Sequence, residues 1–418
     1  MSLLLRRGRT VDGRTVDVGC RDGVIVEVGP AGESAGPGAS YDAVEDLDDM
    51  LLLPAPAEPH AHLDKALTAE LAVNPAGDLA GAVLAMAELL PRRSLADTVD
   101  SATEAAMILL RCGTTAIRTH VDAGPLVGLR GLEALAVVRD RLAGLVDLQI
   151  AVLPGGPLTG VAGASNRAVL RDALALADVV GGCPHLDPEP LSCQAFCYVT
   201  AQEAGLPLDL HTDETLHPGA LHLAALPGLV EAGGLGAGVT ASHCVSLGVQ
   251  PAAVQHAVAG RLAATGVGVV ALPQTNLFLQ ARGQTCAPPR GLTALAALRS
   301  AGVRLAAGGD NLRDPFNIVG RGDPLETASL LVAAGHLSAA DAYALVSAGA
   351  REVLGLPAVT LVAGSPAELV AVRATSLSDA VAAGPAERVV VHRGRVVART
   401  RVSSWVAPPQ VAARQVAR

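Results

Sequence analysis

The sequence has very few aromatic side chains. Among 418 residues there are one tryptophan, three tyrosines and three phenylalanines, although half of the chain is hydrophobic. Small aliphatic residues and 45 glycines must therefore form most of the core. Charged residues are also scarce, at 17% against about a quarter in an average soluble domain. The composition is nevertheless that of a globular chain, long enough for one large domain or two ordinary ones.

Other absences exclude whole classes of protein. No apolar run reaches the roughly 18 residues that a membrane helix needs, and the beginning, MSLLLRRGRT, lacks the long apolar core of a signal peptide. There is no basic run, and the net charge of −9 argues against nucleic acid or an anionic membrane as a partner. Seven scattered cysteines do not suggest a disulfide framework. We therefore expect a cytoplasmic protein that binds a small molecule; its oligomeric state, a homo-oligomer included, stays open.

Lysine is almost absent as well, because Lys65 is the single lysine among 31 basic residues. Since the chain uses arginine elsewhere, an exposed position without a particular task would be expected to carry arginine. Lys65 therefore has two interpretations. It is either an ordinary surface cation or a residue with a specific role, in which it pairs with Asp64 or Asp122 or contacts the substrate.

The two ends of the chain share a pattern of short β-strands. Before residue 54 and again after residue 357, alternating apolar residues are bounded by glycine and aspartate, as in hairpins. We predict that residues 1–53 and 358–418 pair into one small β-sandwich domain.

The central part, residues 54–357, alternates short apolar runs with alanine- and leucine-rich helical stretches, which is typical of repeated strand–helix units. The eight runs, of which the first overlaps the end of the N-terminal segment, are 50–55, 114–121, 147–153, 177–182, 206–211, 238–243, 268–273 and 303–309. They predict an α/β fold, a (β/α)8 TIM barrel, whose chemistry lies at the carboxyl ends of the strands. Residues 70–95 contain no strand and are interpreted as a loop or lid over the barrel mouth.

Histidines and acidic residues follow five of the eight predicted strands. They are His60 and His62 after the first, His120 and Asp122 after the second, His211, Asp213 and Glu214 after the fifth, His243 after the sixth and Asp310 after the eighth. Residues two apart on an extended segment point to the same side, so His60 and His62 can reach one metal ion. One such pair also arises by chance, but four histidines at strand ends favour a metal site.

Imidazoles with one carboxylate predict a catalytic site for one divalent metal, Zn²⁺ or Fe²⁺. A metal of this kind makes water nucleophilic near neutral pH. Glu214, three residues beyond His211, is placed to take a proton from that water and pass it to a leaving nitrogen.

Five motifs in order resemble the amidohydrolase superfamily, in its cytosine deaminase-like branch. They are HAHLDK at 60–65, RTHVD at 118–122, HTDE at 211–214, TASH at 240–243 and GDN at 309–311; CPHLD at 183–187 and NLFLQARGQT at 276–285 are also similar. The resemblance covers essentially the whole chain. It implies one divalent metal, with the ligands His60, His62, His211 and Asp310. It also implies that Glu214 is the proton shuttle, that His243 polarises the hydroxide and the substrate, and that Asp310 accepts a proton from the water.

The pattern departs from cytosine deaminases where it would contact the substrate. Gly155 stands where similar cytosine deaminases have a glutamine for the pyrimidine edge, Asn311 follows the metal-binding aspartate, and Phe316 replaces a tryptophan. Residues 309–323 instead resemble the N-isopropylammelide amidohydrolases, which also have a lysine after HxHxD. Because Lys65 is the single lysine, a dinuclear site bridged by a carboxylated lysine, as in dihydropyrimidinases, is excluded.

Two of the three phenylalanines fall near the predicted site. Phe278 and Phe316 are predicted in the loops after strands seven and eight, where they would flank a planar ring. With them, the predicted substrate contacts are Lys65, Gly155, Asn276, Gln280 and Asn311. The residues predicted to support the ligands from behind are His120, Asp122 and His185. For His185 a core position and a substrate contact both stay open.

The favoured hypothesis is a metal-dependent deaminase that acts on a small N-heterocycle, such as a cytosine-like pyrimidine or a triazine, and releases ammonia. The alternative is hydrolysis of an N-alkyl amine or cyclic amide by the same site. Glu214 favours deamination, because the departure of ammonia needs a proton carrier. A non-catalytic metal-binding protein is a third hypothesis, disfavoured because none of the expected ligands is missing.

Overall fold

The computed structural model describes residues 2–32, 40–235 and 238–407, so the last part of the second predicted β-segment, 408–418, lies outside the described residues. The strands are Ser2–Arg9 (β1), Thr15–Arg21 (β2), Val24–Pro30 (β3), Ala43–Asp46 (β4), Leu51–Pro54 (β5), Ala57–Ala61 (β6), Ala116–Ala123 (β7), Asp147–Pro154 (β8), Val179–Gly182 (β9), Leu208–Thr212 (β10), Val239–His243 (β11), Gly268–Ala271 (β12), Leu305–Ala307 (β13), Leu369–Val372 (β14), Arg388–His392 (β15) and Arg395–Thr400 (β16).

The α-helices lie mainly between the strands of the central part. They are Leu79–Leu89 (α1), Leu95–Arg111 (α2), Arg130–Arg141 (α3), Ala164–Ala173 (α4), Pro190–Ala204 (α5), Leu226–Gly233 (α6), Ala252–Thr265 (α7), Pro273–Leu279 (α8), Leu295–Ser300 (α9), Pro324–Ala333 (α10), Ala339–Val346 (α11), Ala348–Val353 (α12) and Leu377–Ala383 (α13). None of the helices in the described ranges is long and apolar enough to cross a membrane.

Strands β6 to β13 form one parallel sheet in which each strand pairs with the next along the chain. A parallel bridge between Ala61, at the end of β6, and Asp310, after β13, connects the first strand to the last. The sheet therefore closes on itself, and helices intervene between its strands. The prediction of a (β/α)8 TIM barrel is confirmed, and its carboxyl edge carries the residues of the predicted site.

The predicted position of the first barrel strand is wrong. The run 50–55 contains β5, which pairs antiparallel with β14 outside the barrel, whereas the barrel begins at β6. Leu51 and Leu53 pack in the barrel-side core, while Leu52 packs in the core of the terminal sheet. Because β5 is buried on both faces, its continuous apolar pattern is the one that a barrel strand also shows.

The strands from the two ends of the chain join in a second sheet, in the order β16-β15-β14-β5-β1-β2-β3, with β4 beside β1. Strand β1 meets β5 at a single pair, Arg9 and Leu51, so the sheet is barely continuous at this point. Side chains from both of its parts nevertheless share one core, which includes Leu5, Val18, Leu369 and Val391. The predicted sandwich from both termini thus takes the form of one sheet with a shared core.

The segment interpreted as a loop or lid, 70–95, contains a helix. Asp78 begins α1 by accepting a hydrogen bond from the backbone N of Gly81 at 2.8 Å. The apolar side of α1 buries Met86 and Leu89, against which Phe316 packs. The helix is thereby fixed beside the loop that follows the last barrel strand.

Candidate active site

Three imidazoles and one carboxylate converge at the carboxyl end of the barrel. His60 on β6 and His62 just after it each bring Nε2 to 3.1 Å from Nε2 of His211, at the end of β10. Asp310 Oδ1 lies 3.3 Å from Nε2 of His62 and 3.8 Å from Nε2 of His60. All four side chains are buried.

These donor atoms fit a divalent metal ion. A neutral imidazole has one N–H, so three Nε2 atoms that face one another cannot all be satisfied by hydrogen bonds. Neither oxygen of Asp310 has a hydrogen-bond partner among the described residues. Burial, reinforced by the neighbouring histidines, lowers the pKa of His60 and His211 well below the ordinary value, so their rings stay neutral and keep lone pairs for a metal.

A buried chain of polar groups sets the tautomer of His60. The Ser242 hydroxyl donates to Asp209 Oδ1 at 2.8 Å, so its oxygen accepts from Nδ1–H of His60 at 2.9 Å. Burial opposes the ionisation of Asp209, but His120 and Arg118 outweigh it and lower the pKa of that carboxyl. The lone pair of His60 is thus left on Nε2, where the other donors converge.

A second support, Glu58, joins the first and the last barrel strands. Its carboxyl accepts from the backbone N of His60 at 3.1 Å and from that of Gly309 at 2.8 Å, while burial raises its pKa to about 8. A Cβ atom at Gly308 would overlap Oε1 of Glu58, so the close approach requires glycine at that position. Glu58 therefore holds the backbone on both sides of the converging donors.

Sequence analysis did not single out Asp209, Ser242 or Glu58. The signal available for Asp209 is its position two residues before His211 on β10, which places both side chains on one face of the strand. Glu58 stands two residues before His60 in the same way. Ser242 lies opposite His211 in the register of β10 and β11, and its contacts with Asp209 and His60 follow only from the packing of three strands.

Glu214 and His243 lie beside the converging donors. Glu214 Oε1 has no hydrogen-bond partner among the described residues and is 3.5 Å from Nδ1 of His243. Burial, together with the charge of Asp310, raises the pKa of Glu214 well above its ordinary value. His243 faces Asn276 Oδ1 through Nδ1 at 3.1 Å, which leaves Nε2 3.9 Å from Asp310 Oδ2. The raised pKa increases the affinity of Glu214 for a proton, so that this carboxyl can accept one and pass it to a nearby base.

The backbone at these strand ends adopts a conformation that side chains other than glycine rarely accept. The φ angle is +63° at Asp310, +68° at His243 and +49° at Asp213, next to Glu214. Left-handed residues of this kind cost about 1–3 kcal/mol each and concentrate at functional sites. Some of the residues with this conformation therefore lie where the side chains of the candidate site leave the barrel, and others lie far from the site.

The site opens into one cavity of about 400 Å³. The residues of the predicted site that line it are His62, Lys65, Asp122, Gly155, His211, Glu214, His243, Asp310, Asn311 and Phe316. The predicted site residues that do not line it are His60, His120, His185, Asn276, Phe278 and Gln280. Side chains of α1 and of the turn after it also line the cavity, so the segment 70–95 lies at the barrel mouth as expected.

Lys65 is buried, so it is not an ordinary surface cation. Its Nζ lies 2.7 Å from Asp122 Oδ2 and 5.6 Å from the centre of the Phe316 ring. Asp64 accepts from the backbone N of Asp122 at 2.9 Å instead of pairing with the lysine. Burial opposes the charge of Lys65, but Asp122 and Asp64 outweigh it and raise its pKa.

The three predicted contacts from the stretch after β12 lie outside the cavity lining. The prediction of a loop is wrong for Phe278, which lies on α8 with Arg282 stacked 4.2 Å from its ring centre. Gln280 donates to the backbone O of Glu214 at 3.3 Å, and Asn276 lies behind His243. Asn276 and Gln280 therefore contact the candidate catalytic residues His243 and Glu214 from behind, and none of the three residues lines the cavity.

The two supporting histidines, His120 and His185, lie directly behind the converging donors. The His120 ring centre is 4.0 Å from that of His60, and its Nε2 lies 3.6 Å from Asp209 Oδ2. His185 Nδ1 is 3.3 Å from the backbone O of His211, and burial lowers the pKa of His185 to about 4. His185 is therefore a half-buried neutral group beside a strand end and does not line the cavity.

The space beside Gly155 is taken by a residue that sequence analysis missed. A Cβ atom at position 155 would lie 3.3 Å from Oδ1 of Asn166, which comes from α4 and lines the same cavity. The Asn166 amide is oriented by donating to the backbone O of Pro157 at 2.9 Å. The sequence offered no signal for Asn166, because it lies on a helix and not at a strand end.

The comparisons with known proteins agree with this geometry. The amidohydrolase family matches residues 116–398. A pterin deaminase of Rhizobium rhizogenes (strain K84 / ATCC BAA-868) is 33% identical over 391 residues, which are 92% of this chain and 88% of that protein.

Solved structures are similar over almost the whole chain. The structure of 5-methylcytosine deaminase from Klebsiella pneumoniae liganded with phosphonocytosine has a TM-score of 0.86 at 28% identity and covers 97% of this chain and 100% of its own. That of N-isopropylammelide isopropylaminohydrolase from Burkholderia multivorans ATCC 17616 has a TM-score of 0.81 at 31% identity, covering 96% and 98%. The chain belongs to the metal-dependent amidohydrolase family and is a hydrolase of carbon–nitrogen bonds.

Proposed function

We propose that the protein is a metal-dependent hydrolytic deaminase of a small N-heterocycle, from which it releases ammonia. The observation that carries the proposal is the position of Glu214, a buried carboxyl without a hydrogen-bond partner among the described residues, beside His243 and the converging donors. A group of this kind with a raised pKa is suited to carry a proton to a poor leaving group. The two similar proteins named for pterin and 5-methylcytosine are both deaminases.

We propose Nε2 of His60, His62 and His211 and the carboxylate of Asp310 as the ligands of one metal ion. Imidazoles with one carboxylate suit Zn²⁺ and Fe²⁺, and not the oxygen-preferring Mg²⁺ or Ca²⁺. When bound, such an ion supplies the Lewis acidity that makes a water molecule nucleophilic near neutral pH.

The remaining steps belong to side chains of the chain itself. The second oxygen of Asp310 lies 3.9 Å from Nε2 of His243 and is placed to accept one proton from the attacking water. His243, held by Asn276, presents Nε2 to the same space and orients the substrate carbon. Glu214 takes the other proton of the water and delivers it to the amino nitrogen, while the proton accepted by Asp310 passes to the ring nitrogen. The C–N bond then breaks, ammonia leaves, and a carbonyl beside a ring N–H remains.

A second candidate is removal of an N-alkyl amine by the same site. It is favoured by Lys65, since N-isopropylammelide amidohydrolases also have a lysine after HxHxD, and by the N-isopropylammelide isopropylaminohydrolase, which is 31% identical. Glu214 would serve this reaction as well, but an amine is then released instead of ammonia. Hydrolysis of a cyclic amide would release neither and would open the ring.

We also propose that the enzyme works in the cytoplasm, because all seven cysteines are free. Buried thiols such as Cys197 and Cys244 are typical of proteins from a reducing compartment.

The proposal is tested by assaying purified protein, loaded with Zn²⁺ or with Fe²⁺, against aminated pyrimidines, pterins and triazines. The expected result is ammonia release from at least one ring, lost after chelation and restored by the metal. Mass spectrometry of the products separates the candidates, because an alkylamine or an opened ring differs in mass from a deaminated ring. Turnover of no aminated ring, with metal bound, would contradict the proposal.

A further inference from the structure

The cavity that contains Glu214 and Asp310 is also lined by apolar side chains that the proposed chemistry does not use. Val83 and Met86 come from α1, Leu126 follows β7, and Leu186 follows β9. They reach one cavity from three separate segments of the chain. We refer to Val83, Met86, Leu126 and Leu186 as the apolar arm.

Three residues of the apolar arm are unusually exposed. The exposed fraction is 41% for Val83, 77% for Leu126 and 56% for Leu186. Scattered exposed leucines need no explanation, but apolar side chains that share one concave surface are typical of a binding site. An apolar group of a ligand that covers them gains about fourfold in binding for each buried methylene.

The size of the cavity also indicates a ligand that is larger than the reacting ring. Its volume of about 400 Å³ lies within the range of sites that enclose whole drug-sized ligands, about 300–1,000 Å³. The catalytic groups need only the ring and its amino group. The apolar arm therefore offers space for a further part of the substrate.

Charge in the cavity favours an uncharged group. Outside the catalytic centre the cavity is lined by the charged side chains of Lys65, Asp122 and Asp187. Lys65 and Asp122 pair with each other at 2.7 Å, and Asp187 accepts from the backbone N of Leu158 at 2.7 Å. An ionic substituent would have to compete with these protein partners, whereas an apolar one would not.

We propose that the substrate is an N-heterocyclic amine with an alkyl or aryl substituent, and that Val83, Leu126 and Leu186 bind this substituent. The inference rests on the proposed function, since it names the substrate class of the same site. The substituent shields these side chains from water while the ring lies against Glu214 and Asp310.

The test compares substituted and unsubstituted rings on the same enzyme. Cytosine, pterin and an aminotriazine are assayed for ammonia release. Each ring is compared with a series of derivatives that carry one n-butyl group, placed in turn at each free ring carbon. For a ring that is deaminated, the best butyl derivative should have a kcat/KM at least tenfold above that of the parent. The ratio of the two values cancels differences in metal loading or folding between enzyme samples.

Variants locate the effect. Leu126→Ser and Leu186→Ser should each lower the ratio about threefold or more, because a hydroxyl replaces apolar contact area. Leu84→Ser is the matched control. Leu84 lies next to Val83 on α1 and is 67% exposed, but it does not line the cavity, so the ratio of this variant should equal that of the wild type.

The outcomes separate this inference from the proposed function. If a parent ring is deaminated but no butyl derivative reaches a tenfold advantage in kcat/KM, the apolar arm is overturned as a binding site and the proposed deaminase function stands. A butyl advantage that both serine variants retain overturns the assignment to these residues. No ammonia from any ring, substituted or not, overturns the proposed function and the inference together.

Discussion

Ser242 Oγ lies 2.9 Å from Nδ1 of His60 and gives its own hydrogen to Asp209. The hydroxyl can therefore only accept from the imidazole, which fixes the N–H of His60 on Nδ1 and the lone pair on Nε2. Outer contacts of this kind raise the basicity of a ligand and fix its orientation. Ser242 is thus a positioning residue for the proposed metal ligand, although it does not reach the cavity.

Ser242→Ala should weaken metal binding about 10–100-fold, because His60 loses the acceptor that fixes its tautomer. The measurement is a competition for Zn²⁺ with a chromogenic chelator. Ser246→Ala is the matched control, since the Ser246 hydroxyl is buried without a hydrogen-bond partner in the described structure. Equal affinities of the two variants and the wild type would rule out the positioning role.

Lys65→Arg should lower kcat/KM at least tenfold, although the charge is kept. The buried site holds a compact ammonium 2.7 Å from Asp122, and the larger planar guanidinium cannot take that place without displacing Phe316. Steady-state kinetics on the identified substrate measure the change. Arg14→Lys, at an exposed ion pair with Asp12, provides the control and should leave the rate unchanged. Unchanged activity of Lys65→Arg would mean that any cation suffices at this position.

Gly308→Ala should lower the free energy of unfolding by about 1–3 kcal/mol, because the new Cβ would overlap Oε1 of Glu58. The same substitution should weaken metal binding, since Glu58 holds the backbone on both sides of the site. Gly260→Ala is the control, because that glycine lies on α7 with no atom near the added Cβ, and alanine is favoured in a helix. Urea unfolding measures both variants. Equal stability of Gly308→Ala and the wild type would show that Glu58 moves freely.

The stability of the protein should depend on pH through Asp314. Burial raises the pKa of this carboxyl to about 7 from an ordinary value of 3.8. Between these pH values the folded protein keeps a proton that the unfolded chain has already released, so raising the pH favours unfolding. Asp314→Asn should therefore lose less stability than the wild type between pH 5 and pH 7, by about 1 kcal/mol or more. Parallel pH profiles of Tm for the two proteins would contradict this.

The barrel could be predicted from the sequence because its strands are short apolar runs separated by helical stretches. This pattern can be recognised without knowing which residues are in contact. The same reasoning failed at β5, where burial on both faces gave an outer strand the pattern of a barrel strand. It also failed at Phe278. The short helix α8 begins at Pro273, soon after β12 ends at Ala271, and a proline so close to a strand suggested a loop.

The candidate site was predictable where residues lie at strand ends, because a barrel brings all these ends together. His60, His62, His211 and Asp310 converge for that reason. Asn166 and Ser242 were not predictable, since their contacts depend on how α4 and β11 pack against other segments. The division of the chain at 53/54 and 357/358 stays a prediction. The roles of the individual site residues are predictions that the experiments with variants address.

The central claim is that Glu214 carries the proton in a metal-dependent deamination, and Glu214→Gln tests it most directly. The substitution keeps the shape of the side chain but removes the exchangeable proton. The account predicts that kcat for ammonia release falls about 10²–10⁴-fold while the variant binds one metal ion per chain with unchanged affinity. A Glu214→Gln enzyme with full metal and wild-type kcat would contradict the account.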